Sequence, residues 1–374
     1  MHIFFTGPEA RKSEIPFLLD ASMQPITAAN AWLQELAQDG ATSSPCSWKT
    51  YAYHLFDYFS YLEAHHLDWR QVDNETVHQY RDVQDQNRSV HTKDHLNRRS
   101  INARVRTVGR FYAFAFEQGF IEKNPIKYKK LSFRRRPDTD FLAHIGSTQE
   151  QEVPAVTFER LARPKIRWRP QHEIMQWLNS IEDWRDKLIA KLMYQTGMRR
   201  EEVVNLKTWN LPERSGLDLS RPEASFIIIG KGRKKRLIYL ATRSLLEIYD
   251  YIKTERALLV RGADEKTDNI FVGRDGRPLQ PGSINRIFDR VSKGCGIKIT
   301  PHLLRHSFTV AALKHWKELG VSQPEKLLQS RLGHSSVTTT HIYLHLTDDM
   351  KMAEAQANAS LIEMFLQGEI SETP

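Results

Sequence analysis

Near the end of the chain, RLGHSSVTTTHIYLH places His334 nine residues before Tyr343, across a short polar run that reads as a helix start. About thirty residues upstream, PHLLRHSF sets His302 and Arg305 three apart. Farther back lies TGMRREEVVNL, with Arg199 and Glu202, and between the two is the basic turn Gly230-Lys231-Gly232. Two arginines, two histidines, a lysine and a tyrosine are the parts needed to break a phosphodiester through a tyrosine ester. Such a reaction needs a nucleophile, charge stabilisation for the five-coordinate transition state, and a proton for the leaving oxygen. Metal enzymes supply these with carboxylate-bound divalent ions. This chain has no comparable carboxylate cluster on its motifs and concentrates fixed cations instead. A guanidinium is planar and always charged, so it can clamp two non-bridging oxygens. A hairpin lysine can contact a polyanion and donate a proton, and histidine can do either near neutral pH. Tyrosine is an oxygen nucleophile whose phosphate ester conserves bond energy for religation.

Each piece alone has an ordinary reading. TGMR is a helix-to-turn motif with a surface arginine, and Gly230-Lys231-Gly232 is a basic hairpin turn. It is not a phosphate-cradling loop, because GxxxxGK[ST] is absent. His302 and His306, four apart, suggest a metal pair but lack the glutamate of HExxH, and His341 and His345 read as flanking helix residues. A lone Tyr343 would be an amphipathic tyrosine. The order and spacing of the whole set carry the argument.

The elements that must hold these residues read as follows. Residues 28–36, the stripe of Trp48, Tyr51, Leu55, Phe56, Tyr58, Phe59 and Leu62, residues 72–83 and residues 101–118 all show helical spacing, the last stopping at Gly119. Between Arg98 and Arg136 stand twelve Lys or Arg against two acidic residues, Glu117 and Glu122. That imbalance would repel itself unless something anionic lies there, which favours contact with a nucleic-acid backbone. Arg99, Arg106 and Arg110 share one face, away from Val105, Val108 and Phe111. Residues 137–170, with RRRPDTD and prolines at 154, 164 and 170, read as a linker, long enough that part of it packs on a domain. Helices at 171–181 and 184–195 follow, the second stopping at Gly197. Residues 225–229 and 236–240 read as strands around the basic turn, 243–259 as a helix, and 270–272 as a short third strand. Helices resume to Leu366, the last an amphipathic segment within 348–367.

The bulk properties agree. The 374 residues suffice for two domains, the hydrophobic fraction of 40% is that of a folded protein, and the net charge of +9 suits an anionic polymer. Cys46 and Cys295 form neither a zinc pattern nor a disulfide framework. The N-terminus lacks the basic and apolar regions of a signal peptide, and no run approaches a membrane span. A cytoplasmic, nucleoid-associated protein is expected.

On these residues the chain resembles the tyrosine recombinases, the family of phage integrases and Xer-type resolvases. TGMRREEVVNL is similar to the family's first box, GKGRKKRLIYL to its β-hairpin, PHLLRHSF to its second box and LGHSSVTTTHIYLH to its third. The resemblance implies six catalytic residues, Arg199, Lys231, His302, Arg305, His334 and the nucleophile Tyr343, with Glu202 supporting Arg199. It covers residues 25–130 and 171–350, the former through SINARVRTVGRFYAFAFEQGFIEKNP, which looks like the end of the family's core-binding domain. The fold implied is mainly α with a small antiparallel β-sheet: an all-α, SAM-like core-binding domain and a mixed α/β catalytic domain. The boundaries expected are an N-terminal extension at 1–24, the core-binding domain at 25–136, the linker at 137–170 and the catalytic domain at 171–374. Candidate DNA contacts are Arg98, Arg99, Asn102, Arg106, Arg110, Lys129, Lys130, Arg233, Lys234 and Lys235, with Arg99, Asn102 and Arg106 as candidate base readers. The implied course is a 3′-phosphotyrosyl link, strand exchange through a Holliday junction, and a homotetramer on two inverted-repeat sites. No metal or nucleotide cofactor is implied; an accessory directionality factor or partner recombinase is compatible with it. Departures are Arg200 after the first arginine, the long linker, and an N-terminal extension without a counterpart. Two other readings are a type IB topoisomerase-like enzyme and a catalytically silent architectural DNA-binding protein.

Overall fold

The computed structural model describes residues 1–7, 14–38, 45–88, 94–134, 148–158, 167–230, 235–263 and 266–333. The chain divides into two units, Met1–Pro164 and Lys165–Pro374.

In the first unit, strands β1 (His2–Phe5) and β2 (Pro16–Leu19) pair antiparallel, with Phe4 opposite Phe17. Four helices follow: α1 (Thr27–Gln38), α2 (Pro45–Ala64), α3 (Asn74–Gln86) and α4 (Arg98–Glu117). The N-terminal extension is tied to them through Asn30, whose carboxamide accepts from the Leu18 N–H at 2.7 Å and donates to its carbonyl at 2.9 Å. Apolar residues at helical spacing make the core, and the aromatic stripe of α2 lies in it: Leu55 and Tyr58 are fully buried against Tyr80, Phe111 and Tyr112. Burying those phenols requires partners. Tyr58 and Tyr112 share a hydrogen bond of 3.0 Å, Tyr112 donates to the Trp69 carbonyl, and Tyr80 donates to Asp57. Asn97 caps α4, and the chain leaves it through left-handed Gly119, at the expected stop.

Part of the stretch read as a linker belongs to this unit. Strand β3 (Tyr128–Arg134) pairs antiparallel with β4 (Thr148–Pro154). The end of β4 packs on α4: Pro154 lies so close to Gly109 that a Cβ there would meet its Cγ at 2.8 Å. Asn102 fixes the exit, accepting from the Phe158 N–H at 2.8 Å and donating to its carbonyl at 3.1 Å.

The second unit carries α5 (Gln171–Asn179), α6 (Trp184–Thr196), α7 (Arg200–Val204), strands β5 (Glu223–Ile229) and β6 (Lys235–Ala241), then α8 (Thr242–Tyr251) and α9 (Ala257–Arg261). Helices α10 (Pro281–Cys295), α11 (Pro301–Glu318) and α12 (Pro324–Leu332) complete it. β5 and β6 pair antiparallel, with Ile227 opposite Leu237, as the alternation predicts. The helix expected over 243–259 is interrupted by one π turn, Ile252–Arg256, where Arg256 donates to the carbonyls of Thr267 and Asn269.

The expected third strand at 270–272 is corrected. Ile270, Phe271 and Val272 are fully buried, but among the described residues this region holds only isolated bridges, Lys207 with Asn269 and Val272 with Pro278. A short apolar run fills a core as readily as it builds a ladder. The architecture is mainly helical with small antiparallel sheets. No helix among the described residues is long and apolar enough to cross a membrane. The tail helix expected within 348–367 lies outside the described residues.

Candidate functional site

Helix α6 stops because Gly197 takes a left-handed conformation (φ +62°), which its lack of Cβ permits. A Cβ at this position would stand 2.6 Å from Leu332 Cδ2 and 2.8 Å from Phe308 Cδ1, so α12 and α11 both close on this turn. Two residues on, Arg199 occupies the N-cap of α7. Its backbone N–H donates to Glu202 Oε2 at 2.8 Å and its Nη1 to Oε1 at 3.0 Å. The sequence Arg-x-x-Glu at a helix start thus turns the third-residue carboxylate back onto the arginine, as in half of a capping box.

Glu202 is buried, and a second guanidinium completes its coordination: Arg236 Nη2 donates to Oε2 at 2.8 Å. The other arm of Arg236 donates from Nη1 to the Arg331 carbonyl at 2.7 Å, at the C-terminal end of α12. Arg305, buried on α11, donates from Nη2 to the neighbouring Leu332 carbonyl at 3.0 Å and from Nη1 to the Gly197 carbonyl. Helix ends leave their last carbonyls unpaired. Here those of α12 are met by two arginines from different elements. Arg331 itself donates to Glu223 of β5 at 3.2 and 3.1 Å and stacks over Tyr239 of β6 at 4.4 Å.

His302 lies one turn of α11 before His306, and their Nε2 atoms are 2.8 Å apart. Such a contact requires one ring to donate and the other to accept, so the pair holds a single proton between those nitrogens. Burial, then Arg305, then Arg199 lower the pKa of His302. Burial, His302 and Arg305 lower that of His306 to about 4. Burial pulls the Arg236 guanidinium below its ordinary range against the opposing charge of Glu202, with Arg199 adding to the shift.

Of the residues picked out in the sequence, Arg199, Glu202, His302 and Arg305 meet in this one place. Lys231, His334, Tyr343, Arg233 and Lys234 lie outside the described residues. Gly333, directly before His334, is left-handed (φ +61°), and a Cβ on it would meet Arg236 Cδ at 2.7 Å. Arg236 went unnoticed in the sequence, although its signal is there: in KRLIYLA it falls in phase with the buried Ile238 and Leu240, a charge on the inward face of a strand. Lys235, the next residue out, is exposed.

The first-unit candidates divide by their contacts. Arg99, Arg106 and Arg110 are exposed on α4, with Arg110 donating to the Tyr51 hydroxyl. Arg98 pairs with Asp85 and stacks on Phe158, and both ends of the Asn102 carboxamide are committed to Phe158. Lys129 donates to the Thr157 carbonyl from β3, and Lys130, its neighbour, is exposed.

Comparison with known proteins supplies the context. The model of the phage integrase family matches residues 169–350. Tyrosine recombinase XerA of Pyrococcus horikoshii is 32% identical over 220 residues, 56% of this chain and 69% of its own length. Tyrosine recombinase XerC of Oceanobacillus iheyensis is 25% identical over 317 residues, 84% of this chain and 90% of its own. A crystal structure of the XerH site-specific recombinase bound to palindromic difH substrate, a post-cleavage complex, aligns with a TM-score of 0.58 at 18% identity over 91% of each chain. That likeness is one of fold. With identity to XerA of this extent, and the arginines of two separate boxes gathered around one buried carboxylate and one helix end, the chain belongs to the tyrosine recombinase family.

Proposed function

We propose that the chain is a site-specific DNA recombinase in which Tyr343 attacks the scissile phosphate, forming a 3′-phosphotyrosyl link and freeing a 5′-hydroxyl. Arg199 and Arg305 bind the non-bridging oxygens with His334 assisting, Lys231 protonates the leaving oxygen, and His302 orients and relays protons. The 5′-hydroxyl of a partner duplex then attacks the ester, and the exchange passes through a Holliday junction. One observation carries the reading: Arg199 and Arg305, from boxes about a hundred residues apart in sequence, are joined through Glu202, Arg236 and the end of α12, with His302 near enough for both charges to lower its pKa. In this arrangement the guanidiniums are fixed before any phosphate arrives, so little reorganisation accompanies reaction.

Double-stranded DNA with inverted-repeat sites is the substrate in this reading. A homotetramer is the working assembly, acting in the cytoplasm on the nucleoid, and the reading accommodates an accessory directionality factor or partner recombinase. The core-binding domain at 25–136 and the catalytic domain at 171–374 close on the duplex. Arg99, Arg106, Arg110, Lys129 and Lys130, with Arg233, Lys234 and Lys235 of the hairpin, contact its backbone; Arg98 and Asn102 act there by shaping the surface.

The test is capture of the covalent adduct. Purified wild-type and Tyr343→Phe proteins are incubated with sheared genomic DNA from the source and EDTA, denatured, and the protein-linked ends sequenced. Adducts from wild type only, clustered at one inverted-repeat site, are expected. Scattered adducts would instead favour a topoisomerase-like enzyme, and native DNA retention without adducts an architectural protein.

A further inference from the structure

We infer that Arg236, which lies outside the six residues matched by the family's boxes, is a positioning residue of this site, setting Arg199 through Glu202 and the turn at Gly333 through the last turn of α12. The inference rests on the proposed reaction. Its basis is a single buried side chain with two engaged arms, one on Glu202 at 2.8 Å and one on the Arg331 carbonyl at 2.7 Å. The same Glu202 oxygen that takes Arg236 also takes the Arg199 backbone N–H, and its other oxygen takes the Arg199 guanidinium. A change in the angle of that carboxylate therefore moves Arg199.

On the other side, α12 is strapped to the hairpin in both directions: Arg236 of β6 reaches the α12 carbonyl, and Arg331 of α12 reaches Glu223 of β5. The Arg236 methylenes also fill the space a side chain at Gly333 would need. The turn at Gly333 thus lies over the shaft of Arg236. Only a forked donor does this, because an ammonium has one charged centre and a guanidinium two separated edges.

Removing one partner of a buried ion pair usually costs stability, which lowers the number of folded molecules and not the rate at which each one reacts. Stability and rate therefore separate the positioning role from a packing role. Full-length Arg236→Met and Arg236→Lys proteins are tested on a nicked suicide duplex carrying the site recovered by adduct capture. Thermal unfolding, duplex affinity, and the amplitude and single-turnover rate constant of adduct formation are read. Arg236→Met is expected to bind within about threefold of wild type and to react roughly 100-fold more slowly, the size of effect that a misplaced donor produces. Arg236→Lys falls between, roughly tenfold slow, and serves alone should the methionine variant fail to fold. In a Glu202→Gln background the methionine substitution should lose the part of its effect that runs through Glu202 and keep the part that runs through α12.

Reduced amplitude with an unchanged rate constant would overturn the inference, since it marks fewer folded molecules that each work normally. So would a full-sized rate loss persisting in the Glu202→Gln background. Wild type and variants reacting alike would refute this inference alone, whereas no adduct from wild type would refute the proposed reaction and this with it.

Discussion

Gly197 offers a graded test of how tightly the turn before Arg199 is built. Three glycines of the second unit differ in one respect each. Gly294 is helical, in the last turn of α10, with open space where a Cβ would go. Gly296 is left-handed (φ +74°), also with open space. Gly197 is left-handed and confined, its Cβ position 2.6 Å from Leu332 and 2.8 Å from Phe308. Gly294→Ala should stabilise by about 0.5 kcal/mol, because alanine loses less backbone entropy in a helix. Gly296→Ala should cost about 1 kcal/mol, the left-handed penalty less the gain from a stiffer unfolded chain. Gly197→Ala adds a steric overlap of about 1–3 kcal/mol, for a total near 2–4 kcal/mol. With a urea slope of roughly 2 kcal/mol per molar, its midpoint drops by about 1–2 M. Hydrogen exchange of α6 and α10 peptides along a urea series reports the second unit without contribution from the first. Equal shifts for Gly197→Ala and Gly296→Ala would refute the packing of Leu332 and Phe308 on this turn. A stabilising Gly296→Ala would refute the backbone argument itself.

Other outcomes follow from the same contacts. Glu202→Gln leaves two guanidiniums on a neutral partner and should destabilise the second unit by about 2–4 kcal/mol, measurable by the same exchange series; Glu202→Asp, which keeps the charge, should lose less. Asn102→Ala removes both hydrogen bonds to Phe158, costing about 1–2 kcal/mol and speeding exchange across 155–158. Its DNA affinity should fall alike for all sequences; a loss confined to one base pair would restore Asn102 as a base reader. Burial lowers the pKa of His54 from 6.5 to about 4, with Arg104 adding to it, so the unfolded chain takes up a proton in that window while the folded one does not. Stability of the first unit should therefore fall as pH drops from about 6.5 toward 4, and His54→Gln should flatten the fall. An unchanged urea midpoint of first-unit peptides at pH 7, 5.5 and 4.5 would contradict this.

The sequence made the helices legible wherever one face alone is buried, as in α4, where Ile101, Val105, Val108 and Tyr112 recur at helical spacing and Gly119 ends the run. It made Arg199, Glu202, His302 and Arg305 legible because each sits in a short motif at an element boundary. Arg236 was missed for the opposite reason: it lies mid-strand in a basic run, where one more arginine looks like one more surface charge, and only its phase with Ile238 and Leu240 marks it as inward. The run at 270–272 was read as a strand because β-branched and aromatic residues fit a ladder and a core alike. Asn102 was read as a DNA contact from its basic neighbours, since no sequence pattern announces that a carboxamide will close on a backbone fifty-six residues away. The β3–β4 pair was hidden for a related reason: its pairing is non-local, and the residues between the two strands carry the polarity of a linker.

The charge balance explains why the site is built on helix ends. Arg199, Arg236 and Arg305 lie together, and among the described residues Glu202 is the one carboxylate that bonds any of them. Among the described residues, carbonyls also hold them: Gly197 at the end of α6, and Arg331 and Leu332 at the end of α12. A helix C-terminus carries about half a negative charge, spread over its unpaired carbonyls. Such partners hold a guanidinium in place by hydrogen bonds while cancelling little of its charge. A second carboxylate would hold it as firmly but neutralise it, and would repel an incoming phosphate. Among the described residues these guanidiniums thus outnumber the carboxylates that bond them, and positive charge is what a phosphodiester passing through a doubly charged transition state can use. On this argument a carboxylate added beside Arg305 should slow cleavage even where it raises stability. The Glu202 carboxylate is tolerable because it is itself buried, its side chain 4% exposed against 34% for the Arg199 side chain that it holds.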